Sequence, residues 1–411
     1  FIFSPELKSY SFKNSKTEFF IHINGSNSLD IDRFIKDVNS YTETQTQIFG
    51  ELPCDDYHYL IHFLPWHYRH GVEHSNSTVI VEGPGNEFHT EENYRDLLAI
   101  CSHELFHLWN IKRIRPSEMW PYDYTKENYS KLGYIYEGIT TYYGDYALLK
   151  SKVFSFQNYL EQFNKDLQRH FDNEGRFHYS VAESSWDTWL DGYVPGSPGR
   201  KVSIYVEGML SALWLDLSLR LKSAHQINLD LFMRDLYENT WKINSPYTEE
   251  LLHQIISSYD EEIAHIWFQA FIHGKGNIEK LLPEVLLQYG LILEPNISPL
   301  FWENNYGMKI SFSEKYPRIT HVLEGSNADL AGISTNVHIL SINGIDADDS
   351  NTQKDLFKGN DLLLIKTPFD TRLIQLNSDK QNIHYQKWEL KKIESASEIQ
   401  KSNFENWSGQ G

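Results

Sequence analysis

The ten residues Cys101–Asn110 read CSHELFHLWN, and the rest of the chain is interpreted from this stretch. Residues four apart share one face of a helix, so His103 and His107 would direct two imidazoles at one point. Two imidazoles suit two corners of a tetrahedral zinc site. Glu104 stands where its carboxylate would reach a water at the metal without being a ligand. With only three fixed positions, the pattern also fits an exposed helix, and a zinc site requires a helical context and a third ligand.

The helical context is predicted from the flanking residues. Thr90 is followed by Glu91 and Glu92, and a capping threonine with acids in the first turn is typical of a helix start. Apolar residues then recur at helical spacing through His107, namely Leu97, Leu98, Cys101, Leu105 and Leu108. Pro116 and Pro121 mark the end of this helix and a loop.

The best third ligand is Glu137, on a second predicted helix over Leu132–Leu149. The residues around Glu137 are largely apolar, and a buried carboxylate needs a partner. A surface glutamate is the alternative interpretation. Glu118 and Glu127 are rivals, but both lie in the proline-containing loop and are expected to be solvated.

Composition restricts the class of protein. The chain has 411 residues, 40% of them hydrophobic and 23% charged, which indicates a globular protein of two or three domains. No apolar run approaches a membrane span, and the net charge of -19 argues against nucleic acid and anionic membranes as partners. Its two cysteines, Cys54 and Cys101, form no disulfide framework. Because the chain begins at Phe1 without an initiator methionine, we expect residues upstream.

Periodicity divides the chain into four parts. Residues 1–85 are predicted to be β-rich, with strands over Thr17–Ile23 and Tyr57–Phe63. Residues 86–290 carry long helical patterns. Residues 291–393 form a separate β-rich domain with an Asn343-Gly344 turn. The polar residues 394–411 are expected to be a frayed tail.

A longer set of motifs resembles the glycyl aminopeptidase family of zinc metallopeptidases. The segments His103–Pro116 and Tyr136–Tyr143 carry most of this resemblance. Gly71–Thr78 is similar to the family's Gly-Leu-Glu-His-x-Asn-Ser, and Ser203–Gly208 to its Tyr-Tyr-x-Lys-Gly. Residues 324–333 and 339–344 look like a PDZ domain. The resemblance covers nearly the whole chain.

The resemblance implies an α+β fold, with a thermolysin-like peptidase domain followed by a PDZ domain. It also implies one Zn²⁺ per chain, held by His103, His107 and Glu137, with water at an open fourth position. Glu104 would be the general base, and the phenol of Tyr205 would stabilise the oxyanion. Glu73 and His74 are the candidates for substrate binding. Glu73 would grip the substrate's α-amine, and a strand-edge salt bridge is the alternative for this residue.

The expected activity is removal of small neutral N-terminal residues, Gly or Ala, from peptides. A zinc endopeptidase or oligopeptidase is one alternative, and a PDZ peptide-binding scaffold with a degenerate peptidase is another. There are three departures from the family pattern: Glu207 replaces its Lys and would reverse a charge near the cleft, Ile204 replaces its Tyr, and Asn336-Val337 replaces the PDZ Gly-Asp turn. The PDZ groove therefore either binds a peptide or packs on the catalytic domain. The compartment, cytoplasmic or periplasmic, stays open.

Overall fold

The structure is a computed structural model that describes residues 4, 6–191, 197, 199–348, 356–378 and 383–410. Its described residues form two hydrophobic cores. The larger core begins at Phe19 and includes Leu390, Phe404 and Trp407 from the C-terminal end of the chain. The smaller core spans Trp302 to Leu376. None of the described helices is both long enough and apolar enough to cross a membrane.

The N-terminal part is a mixed five-stranded sheet with one helix between its second and third strands. The strands are β1 (Lys8–Asn14), β2 (Thr17–Asn24), β3 (Asp56–Phe63), β4 (Tyr68–Glu73) and β5 (Ser77–Gly83). Their order is β1-β2-β3-β5-β4, with β2, β3 and β5 parallel to one another. Strand β4 therefore lies at the edge, antiparallel to β5. Alternate residues of β3 are buried, so one face of the sheet covers the core.

Most of the described helices follow this sheet along the chain, and one lies between β2 and β3. Their bounds are α1 (Ile31–Phe49), α2 (Glu91–Phe106), α3 (Thr140–Lys150), α4 (Phe156–Phe171), α5 (Val181–Trp186), α6 (Thr188–Asp191), α7 (Ile204–Lys222), α8 (Leu229–Glu238), α9 (Glu249–Tyr259), α10 (Glu261–Ile266), α11 (Ile278–Leu287), α12 (Phe301–Tyr306), α13 (Asn327–Leu330) and α14 (Glu398–Ser408). The side chain of Thr90 accepts a hydrogen bond from the backbone of Asn93, as the capping prediction required. Two π-helical segments, Tyr134–Ile139 and Trp267–Ile272, interrupt the α-helical pattern.

The small domain is inserted into a hairpin-like ribbon of the large part. Strands β6 (Leu291–Ile297) and β13 (Gln386–Lys392) pair antiparallel, and Leu291 and Leu390 belong to the larger core. Between them lies a sheet of order β12-β11-β9-β8-β7, with β10 paired to β9. Its strands are β7 (Met308–Ser311), β8 (Arg318–Val322), β9 (His338–Ile342), β10 (Ile345–Asp346), β11 (Asn360–Lys366) and β12 (Thr371–Asn377). The predicted unit 291–393 contains both strands of this ribbon as well as the small sheet.

The expectation of a frayed C-terminal tail is wrong. Residues Glu398–Ser408 form α14, which begins with a capping box at Ser397. Trp407 is fully buried in the larger core, and its indole N–H donates to the hydroxyl of Tyr142 at 3.1 Å. The backbone carbonyl of Trp407 accepts from Tyr146 at 2.7 Å. One buried tryptophan outweighs the polar composition of the segment, because aromatic burial dominates core energetics.

Candidate active site

Helix α2 presents the two histidines at its C-terminal end. The helix was predicted to include His107, but it ends at Phe106, and His107 is its C-cap residue. The backbone of His107 nevertheless keeps right-handed helical angles, and its N–H bonds the carbonyl of His103. The four-residue spacing therefore still places both rings on one side, with centroids 4.7 Å apart.

Glu137 reaches the same point from the π-helical segment Tyr134–Ile139 and not from a regular α-helix. Single π-turns within helices are often found at functional sites. The rivals Glu118 and Glu127 are exposed. Among the described residues, neither of them belongs to a group of carboxylates and histidines close enough to share an ion, whereas Glu137 does.

Three side-chain atoms form a nearly equilateral triangle. The Nε2 atoms of His103 and His107 are 3.1 Å apart, and Glu137 Oε2 lies 3.4 Å from the first and 3.3 Å from the second. A tetrahedral zinc ion with bonds of about 2.0 Å requires its ligands to be ~3.3 Å apart. Glu137 Oε2 is also buried without a hydrogen-bond partner. An orphaned carboxylate oxygen facing two imidazoles is a donor set that fits a zinc ion.

The charges within this triangle keep the Glu137 side chain ionised. Burial opposes ionisation of Glu137, but the charges of His107 and His103 beside its carboxylate lower its pKa to about 2. Burial works against protonation of His107, whereas the carboxylates of Glu137 and Glu73 raise its pKa to about 10. A bound cation would compete with that proton, because a metal ligand must be a neutral imidazole. Burial lowers the pKa of His103.

Glu104 points its carboxylate at the edge strand of the sheet. It is buried, and desolvation raises its pKa to about 8. Thr78 Oγ1 donates to Glu104 Oε2 at 3.4 Å. Gly71 of β4 approaches so closely that a Cβ placed there would lie 2.2 Å from Glu104 Oε1. The strand and the helix therefore hold this carboxyl group between them.

Glu73 ends strand β4, and its carboxylate lies beside Glu104 and His107. One ligand atom each from Glu73, Glu104 and His107 lie within 4.8 Å of one another. Glu73 Oε1 also makes a salt bridge with Lys112 Nζ at 3.0 Å, which is the strand-edge alternative stated for this residue. Burial opposes ionisation of Glu73, but the charges of His107 and Lys112 lower its pKa overall.

His74 lies in the turn between β4 and β5 and is exposed. Its Nδ1 atom is 3.2 Å from the carbonyl oxygen of Val72. The structure therefore does not bring His74 into the cluster of Glu73, Glu104 and His107.

Tyr205 lies in the first turn of α7, beside the metal-ligand candidates. Its ring centroid is 6.2 Å from that of His103. A glycine contact brings α7 this close, because a Cβ on Gly138 would lie 2.4 Å from the Cα of Gly208. The segment that carries Glu137 and the helix that carries Tyr205 thus meet backbone to backbone.

Glu207 pairs with a buried histidine and does not place a negative charge near the metal-ligand candidates. Glu207 is buried and lies 2.6 Å from Nδ1 of His170 on α4. Two residues along a helix correspond to about 200° of rotation, so Glu207 and Tyr205 lie on opposite sides of α7. The expected reversal of charge near the cleft is instead a buried ion pair. Ile204 is buried in the larger core.

Sequence reasoning missed four residues that shape the site. They are Gly71 and Thr78 against Glu104, Lys112 against Glu73, and Asn110 beneath His107. All four lie within the two quoted motifs, so the motifs contained the signal. Their roles depend on contacts between segments, and spacing along the chain does not report such contacts.

A family model and a solved structure that match this chain are both of peptidases. Residues 96–211 match the sequence model of the M61 glycyl aminopeptidase family. The crystal structure of an aminopeptidase N family protein from Idiomarina loihiensis has a TM-score of 0.85 and 25% identity, and the match covers 98% of this chain and 70% of that chain. An M1 zinc metallopeptidase from Deinococcus radiodurans matches with a TM-score of 0.41 and 12% identity, over 64% of this chain and 51% of that chain. A comparison with curated proteins finds no match.

The α+β architecture and the matched segment support a peptidase. The matched segment contains both histidines of the triangle, Glu137 and Tyr205. The chain is therefore a peptidase, and its residues 96–211 match the model of the M61 glycyl aminopeptidase family, as its motifs indicated.

Proposed function

We propose that this peptidase is a zinc-dependent aminopeptidase that removes small neutral residues from the N-termini of peptides. One observation carries the proposal. The Glu73 carboxylate lies beside the triangle of His103, His107 and Glu137, where it would hold a free α-amine next to the metal.

The triangle would hold one Zn²⁺ ion per chain. Two neutral imidazoles and one carboxylate are a common donor set of catalytic zinc sites, which keep one position open. A bound zinc ion would supply Lewis acidity, polarising the scissile carbonyl and lowering the pKa of a water molecule. The tautomer of His107 suits this role, because its Nδ1–H donates to the carbonyl of Asn110 at 2.9 Å and leaves Nε2 as the ligand atom.

The chain's own residues would move the proton. A bound cation would lower the pKa of Glu104 and keep its carboxylate ionised. Glu104 would then accept a proton from the attacking water as the carbon–oxygen bond forms. The same carboxyl group then donates that proton to the leaving amine as the peptide carbon–nitrogen bond breaks. The phenol of Tyr205 donates a hydrogen bond to the developing oxyanion.

Geometry favours an exopeptidase over an endopeptidase. The α-nitrogen and the carbonyl carbon of one residue are separated by two bonds, about 2.5 Å. A charged hydrogen bond from that amine to a carboxylate spans about 2.8 Å. Since Glu73 lies within 4.8 Å of the His107 ligand atom, a substrate anchored there would present its first peptide bond to the site. A longer N-terminal extension would have to pass Glu73.

Lys112 does not exclude this role for Glu73. A carboxylate has two oxygens and accepts several hydrogen bonds, so Lys112 and a substrate ammonium can share it. We propose that His74, in the exposed turn, contacts substrate only at the rim. The preference for Gly or Ala rests on the family resemblance and not on a pocket.

The proposed architecture is a thermolysin-like peptidase domain with a PDZ-like insertion. The catalytic domain would comprise residues 1–297 and 386–411, and the small sheet and its core would form the PDZ-like unit. Lys309 of β7 makes a 2.6 Å salt bridge with Asp172 at the end of α4. This contact supports packing of the small domain on the catalytic domain. A peptide would then act as substrate and not as a PDZ ligand.

The proposal is tested by zinc analysis together with a panel of aminoacyl reporter substrates. We expect one zinc per chain, hydrolysis of glycyl and alanyl reporters, and loss of activity in Glu104→Gln with zinc retained. Amine-blocked peptides distinguish the exopeptidase from the endopeptidase. Equal cleavage of blocked and free peptides would refute the role of Glu73, and activity that survives Glu104→Gln would refute the proposed chemistry.

A further inference from the structure

Asn110 is a fully buried side chain that lies directly beneath the site. Its backbone carbonyl accepts the Nδ1–H hydrogen bond of His107 at 2.9 Å. Its side-chain amide donates to the carbonyl of Ile135 at 2.8 Å and to Thr140 Oγ1 at 3.0 Å. Asn110 thus contacts the ring of His107 and a residue on each side of Glu137 along the chain.

The two amide contacts bracket Glu137. Ile135 lies two residues before it in the π-helical segment, and Thr140 is the first residue of α3. Thr140 Oγ1 in turn donates to the carbonyl of Tyr136 at 2.8 Å. This chain of hydrogen bonds fixes the segment from Ile135 to Thr140 relative to the end of α2.

The contacts depend on an amide and not merely on a polar side chain. Both partners of the Asn110 side chain are oxygen atoms, and the Nδ2 group supplies the donors. A carboxylate at this position would place a negative oxygen against the carbonyl of Ile135. An alanine would leave that carbonyl and Thr140 without their donor in a buried site.

We propose that Asn110 is a positioning residue that sets zinc affinity by holding His107 and Glu137 in one arrangement. Residues that orient metal ligands from behind typically change metal affinity by about 10- to 100-fold when they are replaced. The inference rests on the proposed zinc site, and it does not depend on the proposed aminopeptidase specificity.

The test measures the Zn²⁺ dissociation constant of the full chain by competition with a chelator. We expect Asn110→Ala and Asn110→Asp to weaken zinc binding by about 10- to 100-fold. The thermal midpoint of the metal-free protein is measured in parallel, because removal of a buried amide also lowers stability. A role in stability alone would change that midpoint and leave the dissociation constant unchanged.

Asn403 provides a matched control. It is buried in α14, its amide donates to the carbonyl of Gln288 at 2.9 Å, and its Oδ1 lies 2.9 Å from Nε2 of His225. Asn403→Ala removes a comparable amide far along the chain from the ligands. We expect a lower thermal midpoint for this variant and an unchanged dissociation constant for zinc.

Thr140→Val is a second variant for the case in which Asn110 variants fail to fold. It preserves shape and removes the Oγ1 atom that Asn110 contacts. We expect weaker zinc binding, because this variant loses both the contact with Asn110 and the hydrogen bond to the carbonyl of Tyr136. Dissociation constants within about twofold of wild type for both positions would overturn the inference. Wild-type protein that binds no zinc would instead refute the proposed metal site itself.

Discussion

Replacing Gly71 with alanine is the sharpest test of how the general base is positioned. The backbone of Gly71 does not have a positive φ angle, so alanine can adopt its conformation. The new Cβ would lie 2.2 Å from Glu104 Oε1 and 2.7 Å from its Cδ, whereas ordinary contacts begin at 3.4 Å. The carboxyl group must therefore move by about 1 Å. Glu104 is only 5% exposed, which leaves little room for that movement.

A displacement of about 1 Å in a reacting group can cost about 100-fold in rate. We therefore expect kcat/KM on a glycyl or alanyl reporter to fall about 100-fold, which corresponds to ~2.7 kcal/mol of transition-state stabilisation. Zinc content should be unchanged, because Glu104 is not one of the three proposed ligands. Far-ultraviolet circular dichroism should also be unchanged.

The control is Val72→Ala, in the same edge strand with a side chain 37% exposed. This variant should keep wild-type activity. Gly71→Ala should add nothing in a Glu104→Gln background, because both changes act on one carboxyl group. Nearly wild-type activity of Gly71→Ala would refute the reasoning. An equal loss of activity when Gly71→Ala is introduced into the wild-type chain and into Glu104→Gln would also refute it.

Three further outcomes are expected. Glu137→Ala should abolish stoichiometric zinc by elemental analysis and leave the circular dichroism helical, and retained zinc would indicate a different third ligand. The carboxylates of Glu207 and Glu279 outweigh burial and raise the pKa of His170 to about 9, so its contribution is present below pH 6.5 and is lost as pH rises through 9. The free energy of unfolding of the wild-type protein, measured in urea, should therefore fall by up to about 3 kcal/mol between pH 6.5 and 9.5. His170→Gln should not show this fall, and the same dependence of unfolding free energy on pH in both proteins would contradict the prediction. Replacing residues 298–385 with a short turn should preserve zinc binding, because Ile297 and Gln386 are paired, whereas truncation before α14 should abolish folding as judged by thermal melts.

Local features of the fold were predictable from the sequence. The helix around His103 follows from a threonine cap and apolar residues at helical spacing, and the structure begins α2 after Thr90. Strands β2 and β3 were predicted from a strand-like alternation of residues in the sequence, and alternate residues of both strands are buried in the structure. The spacing of His103 and His107 places two rings on one side, because four residues make about one helical turn.

Contacts between distant segments were not predictable in this way. The polar composition of residues 394–411 gave no indication that Trp407 is buried in the larger core. The charge of Glu207 was expected in the cleft, but His170 meets it on the opposite side of α7. The ribbon of β6 and β13 joins residues on either side of the small domain.

The sequence by itself determined which side chains are available for metal chemistry, and the tertiary structure decided how they meet. A motif specifies residue types and their spacing, and both are local properties of a helix. The distance from Glu137 to the two histidines depends on a π-helical turn and on the amide of Asn110. The position of Glu104 depends on a strand that approaches closely enough to require Gly71. These distances arise from packing between segments, which adjacent residues along the chain do not encode.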